Sequence, residues 1–149
     1  MKDTPDTPLE LRARALRLLA RREHSRQELG RKLFPRAVSP EALNALLDSL
    51  ELKKQLSNER FASERAHVLS RKYGAARIRQ DLKAKGLDRE TIERISSEGE
   101  LERARGILQR KYREAALTRE ERAKRMRFLQ SRGFSSEVIR SLLSSRDAD

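Results

Sequence analysis

The feature that most restricts this chain is a threefold internal repeat. A shift of 49 residues lays Leu33, Val38, Ser39, Glu41, Leu43 and Leu46 onto Leu82, Leu87, Asp88, Glu90, Ile92 and Ile95. A further shift of 47 reaches Leu129, Phe134, Ser135, Glu137, Ile139 and Leu142. Apolar residues fall on apolar residues, a capping residue on a capping residue, and a first-turn glutamate on a first-turn glutamate. Ahead of each set stands a turn residue, Ala37, Gly86 or Gly133, preceded by a cation, Arg36, Lys85 or Arg132. A period of this length is that of a stacked supersecondary unit that cannot bury its apolar face alone. The spacing predicts three tandem units at 9–56, 57–97 and 98–145, between a flexible tail at 1–8 and a second tail at 146–149.

Each unit reads as three helices. Six Gly and four Pro in 149 residues leave few breaks, and the alternation expected of strands is missing. In the first unit Leu11, Ala15, Leu18 and Leu19 line one face. The pattern stops at Glu23-His24, and Ser25 with Glu28 reads as a capping box that starts a second helix. Thr118 and Glu121 repeat the box in the third unit. Pro35 ends the second helix, Ser39 caps the third, and Pro40 takes its first position, where a missing N–H costs nothing. Apolar residues make up 36% of the chain and charged ones 39%, so several thin layers suit this composition better than one broad core.

Little supports catalysis. His24 and His67 stand among charged residues with no Ser or Cys motif beside them, and both are expected to be exposed bystanders. Glu98, Glu100 and Glu102 are spaced i, i+2, i+4, which does not converge as an oxygen cage on a helix, so they read as an acidic helix start. Phosphate-cradling glycine loops are absent, and so is cysteine. No enzyme activity, metal or cofactor is expected. The start "MKDTPDTPLE" lacks the apolar core of a secretion signal, and no apolar run approaches the ~20 residues of a membrane span. The expected location is the cytoplasm.

The charge is more informative. Lys and Arg number 35 against 23 Asp and Glu, a formal net charge of +12, which favours polyanionic partners. Arg71, Lys72, Arg77, Arg79, Lys83 and Lys85 cluster with Asp81 as the sole acid, and Arg79 and Lys83 are expected to face solvent beside the buried Ile78 and Leu82. Arg21, Arg22 and Arg26 charge the first joint similarly. These nine form the candidate contact surface. Tyr73 and Tyr112 each end an "RKY" and are expected to pack over the following turn rather than to stack bases. A helix–turn–helix DNA reader is an alternative, although Asn and Gln are few on the second helices.

The stretches "RREHSRQEL", "NERFASERAHVLSRKYGAARIRQDLKAKGLD" and "RAKRMRFLQSRGFSSEVI" resemble the RecX family of bacterial recombination regulators, over about Leu9 to Leu143. "ERFA", "YGAARIRQDLKAKG" and "RGF" carry most of the likeness, while the acidic pair that often precedes "RFA" is replaced by Ser57-Asn58-Glu59. The resemblance implies an all-α, elongated and curved array, right-handed or solenoid-like, of three tandem three-helix repeats. It also implies a cytoplasmic, non-catalytic regulator that binds the RecA recombinase filament on DNA and hinders its growth, ATPase and strand exchange. A monomer with weak binding to single- or double-stranded DNA is expected. The alternative is a stand-alone basic helical protein that binds nucleic acid directly.

Overall fold

The structure, a computed structural model, describes residues 4–116 and 118–144. The predicted tail at 146–149 and the first three residues lie outside them. Among the described residues there are only helices and their connections. The first unit holds α1 (Pro8–Arg21), α2 (Arg26–Leu33), a 3-10 turn (Phe34–Arg36) and α3 (Pro40–Leu52). The second holds α4 (Asn58–Leu69), α5 (Ala75–Ala84) and the short α6 (Arg89–Glu93); the third holds α7 (Glu100–Lys111), α8 (Arg119–Ser131) and α9 (Ser136–Ser144).

Helix starts follow local chemistry. Ser25, Ser39, Ser57, Asp88 and Thr118 each accept a hydrogen bond from the amide three residues on, at 3.1–3.3 Å. Each satisfies one amide that has no partner inside its helix. The reciprocal box is complete at Thr7 and Glu10. At Ser25 only half of the predicted box forms, because the Glu28 carboxylate takes Arg22 instead, at 2.9 and 2.5 Å.

Three separate cores lie along the chain. Leu11, Ala15, Leu29, Leu33, Leu43, Leu46, Leu47, Leu50 and Leu56 fill the first. Phe61, Ala62, Ile78, Leu82 and Leu87 fill the second, with Ile92 and Ile95 packed against it. Ala104, Ile107, Leu108, Leu129, Phe134, Ile139, Leu142 and Leu143 fill the third. The repeat positions Leu33, Leu82 and Leu129 are each 0% exposed.

One repeat position departs from expectation. Leu87 and Phe134 are buried, but Val38 is 66% exposed. After α5 and α8 a left-handed glycine, Gly86 at φ 81° or Gly133 at φ 89°, turns the chain. The amides of Leu87 and Phe134 then reach back to the carbonyls of Leu82 and Leu129, both at 3.2 Å. This closure folds the next apolar side chain onto the helix it leaves. After α2 the chain has Pro35, whose ring holds φ negative, and Ala37 is extended at φ −80°. The closure cannot form there, and Val38 stays outside.

Part of the predicted N-terminal tail, at Asp6, packs on the first unit. Asp6 is 5% exposed and pairs with Arg14 and Arg36, both at 2.8 Å.

Candidate polyanion-binding cleft

The second and third units meet along a tight backbone seam. The amide of Gly74 donates to the carbonyl of Arg132 at 2.7 Å, and that of Ala76 to the carbonyl of Gly133 at 3.3 Å. A β-carbon on Gly74 would lie 2.5 Å from the Gly133 oxygen, and one on Gly133 would lie 2.4 Å from Cβ of Arg77. Both positions therefore require glycine, and Gly133 also needs its positive φ.

Beside this seam opens a cleft of about 1100 Å³. Arg71, Lys72 and Arg77 line the second-unit bank, and Arg103, Arg110, Lys111 and Arg132 line the third-unit bank. Glu102 is the single acid in the lining, and it pairs with Arg105 at 2.5 Å. Among the described residues none of the seven cations forms an ion pair. Three of them reach instead for carbonyls of the opposite bank: Arg77 for Ser131 at 3.0 Å, Arg110 for Arg71 at 3.1 Å and Arg132 for Lys72 at 3.4 Å.

Rings and cations alternate along the wall. The Arg77 guanidinium lies 4.8 Å from the Tyr73 ring centre, and that of Arg132 lies 5.5 Å from Tyr73 and 5.0 Å from Phe128. The Lys111 ammonium lies 4.6 Å from the Phe128 ring centre. Such contacts hold a cation in place without neutralising it. The half-buried Tyr73 packs on the second core and is faced by guanidinium groups, so it does not offer an open face to a base. Tyr112 meets Phe128 edge-on, with Arg125 over its ring at 4.6 Å.

Of the nine sequence candidates the cleft gathers three: Arg71, Lys72 and Arg77. Arg79 is half-buried and donates to the Ile95 carbonyl at 2.9 Å, so it does not point freely to solvent beside Lys83. Lys83 is exposed and Lys85 half-buried, both outside the cleft lining. Arg22 is taken by Glu28, and Arg26 by Asp48 at 2.8 Å and by Glu51. Arg21 is exposed and also lies outside the cleft. The four third-unit cations went unrecognised because they lie some thirty to sixty residues from their partners, and charge clustering along the chain is a local signal.

His67 is exposed as expected, but His24 is not. It is 1% exposed, with Nδ1 3.0 Å from the Arg22 carbonyl and Nε2 3.0 Å from Nζ of Lys32. An ammonium group can only donate, so Nε2 accepts and the ring proton sits on Nδ1. Burial holds this imidazole below its ordinary pKa, and the nearby Arg22 and Lys32 charges act in the same direction. The acidic trio separates: Glu100 is 7% exposed and accepts from the Ala75 amide at 3.1 Å, while Glu102 turns to Arg105. No helix among the described residues is long and apolar enough to cross a membrane.

Family models for the first, second and third three-helix domains of RecX match residues 12–50, 57–94 and 98–143. The chain is 42% identical over 146 residues to the regulatory protein RecX of Ralstonia pickettii, covering 96% of this chain and 92% of that one. It is 45% identical over 139 residues to that of Herbaspirillum seropedicae, covering 91% and 90%. A crystal structure of RecX from Lactobacillus salivarius superposes with a TM-score of 0.82 at 18% identity, over 95% of this chain and 97% of that one. A second crystal structure of regulatory protein RecX gives 0.72 at 20% identity, over 93% and 73%. With three of its domain models matched in order and relatives above two-fifths identity over nearly the whole length, the chain belongs to the RecX family of non-enzymatic regulatory proteins.

Proposed function

We propose that this protein binds the RecA recombinase filament on DNA and restrains its growth, its ATPase and its strand exchange, using the cleft between the second and third units as a contact surface. The observation that carries this reading is the set of seven cleft cations that form no ion pair among the described residues. Elsewhere on the molecule Arg14, Arg22, Arg26, Arg60, Arg65 and Arg94 are each matched by a carboxylate. Cations held between rings and opposite-bank carbonyls remain available to a polyanion, and a nucleoprotein filament supplies one. In this reading the units run 9–56, 57–97 and 98–145, and the protein acts as a cytoplasmic monomer that binds free DNA only weakly.

The same cleft also suits the second reading, direct capture of a phosphate backbone without recombinase. The test is the ATPase of RecA on single-stranded DNA, with the parent protein and with the double variant Arg71→Glu/Lys72→Glu. The proposal expects inhibition by the parent and loss of it in the variant. Parent-like inhibition by the variant removes the cleft as the contact. Loss only in proportion to lost affinity for naked DNA favours the second reading.

A further inference from the structure

We infer that Glu100 is a positioning residue for the cleft: its buried carboxylate latches the third unit's leading helix onto α5 and fixes the spacing of the two cationic banks. This rests on the cleft being the binding surface. The two seams of the array are built alike. At the first, Oδ1 of Asn58, the opening residue of α4, accepts from the amide of Arg26, the opening residue of α2, at 2.8 Å. At the second, Oε1 of Glu100, the opening residue of α7, accepts from the amide of Ala75, the opening residue of α5, at 3.1 Å. In each case a following unit caps the second helix of the unit before it.

The two latches differ in chemistry and in consequence. Ser25 already caps α2, so Asn58 adds to an existing cap. Gly74, just ahead of α5, has no side chain to cap it, so Glu100 supplies the acceptor that the local sequence lacks. The positive end of α5 suits an acceptor there, and an amide oxygen of the same reach would serve as well. Glu100 also stands on the helix that carries Arg103, Arg110 and Lys111. Release of its carboxylate frees these three cations to shift against Arg71, Lys72 and Arg77, while Arg132 stays at the backbone seam. No cation itself is altered.

The test uses the full chain and a fluorescent oligothymidylate at low salt. Glu100→Ala is expected to bind roughly fivefold more weakly, the equivalent of one lost helix cap. Glu100→Gln keeps an acceptor and is expected to bind at least as tightly as the parent, and Asn58→Ala is expected to bind like the parent. The chain has no cysteine, so two spin labels introduced at the exposed Gln80 on α5 and Gln109 on α7 report the spacing of the units without any ligand. That distance is expected to broaden in Glu100→Ala and to stay single in Asn58→Ala. Should Glu100→Ala lose its helicity, Glu100→Asp, which keeps the charge but not the reach, takes its place under the same readings. Binding by Glu100→Ala as tight as or tighter than the parent, with an unchanged distance, overturns the inference and makes Glu100 a mere repelling charge. An equal loss in Glu100→Gln also overturns it, because the acceptor geometry is then not what matters. A broadened distance with unchanged affinity leaves the latch standing and overturns the cleft as the binding surface.

Discussion

The amide of Gly74 donates to the carbonyl of Arg132 at 2.7 Å, across 58 residues of sequence, and joins two units through backbone alone. Where backbones approach this closely a methyl group is an obstruction. Gly133→Ala places a β-carbon 2.4 Å from Cβ of Arg77 at a φ of 89°. It is expected to destabilise the fold by about 1–3 kcal/mol, measured by urea unfolding. Gly106, within α7, has only Nη1 of Arg110 nearby, at 3.6 Å. Gly106→Ala is expected to stabilise by about 0.5–1 kcal/mol.

Leu33, Leu82 and Leu129 occupy equivalent closed positions in three separate cores. Truncating any of them to Ala is expected to cost roughly 2–5 kcal/mol. Val38, their neighbour in the repeat pattern, is exposed, and Val38→Ala is expected to stay within about 0.5 kcal/mol. Thermal or denaturant unfolding of the four variants checks the contrast.

Acid is expected to weaken the first unit. The Glu28 carboxyl is held at about 2 rather than 4.5, chiefly by the Arg22 guanidinium, and Asp6 is lowered from 3.8 to about 2, chiefly by Arg14. The folded chain therefore keeps these carboxylates charged at pH values where the unfolded chain protonates them. Their contribution is fully present above the ordinary carboxyl range and is lost as pH falls from about 4.5 towards 2. Arg22→Ala is expected to flatten that fall in a pH series of unfolding midpoints. Arg21→Ala, with an exposed side chain outside these pairs, is expected to leave it unchanged.

Charge reversal at Arg71 and Lys72 is expected to leave the fold within about 0.5 kcal/mol per site, because both side chains are exposed. If both contact phosphates, each lost contact flattens the slope of log K against log salt on single strands by ~0.7. Lys83→Glu, exposed but outside the cleft, is the matched control. Arg79→Glu is a poor choice, because the Ile95 carbonyl loses its donor and the fold suffers with it. Equal slopes for the cleft variant and the control rule out Arg71 and Lys72 as phosphate contacts.

What could be read from the chain was what each unit decides for itself. The apolar periods, Val38 excepted, the caps at Ser25, Ser39, Asp88 and Thr118, and the turn glycines are local signals and stand where the pattern placed them. Contacts between units were not legible. Glu100 does open α7, as the acidic helix start implies, but its hold on the Ala75 amide stayed hidden, because nothing nearby in sequence reveals that this amide lacks a cap. His24 looked exposed among charges, yet Lys32, one helical turn beyond Glu28, folds back over it. Arg26 looked free because Asp48 and Glu51, its neutralising partners, lie on another helix. Charge counts along a sequence overstate a surface wherever the third dimension returns acids to it.

The glycine turns also give the array a direction. Gly86 and Gly133 sit against Gln27 and Arg77, at the start of the preceding unit's second helix, so each is a socket for a predecessor. The first unit carries no socket: Pro35 and the extended Ala37 stand at that corner, and α1 opens on Pro8, which has no acceptor to lend. Among the described residues it offers a predecessor neither of the contacts seen at the other two seams. An added copy of the second unit could be spliced in after the original and be received on both sides, whereas any module grafted ahead of α1 would find nothing to hold.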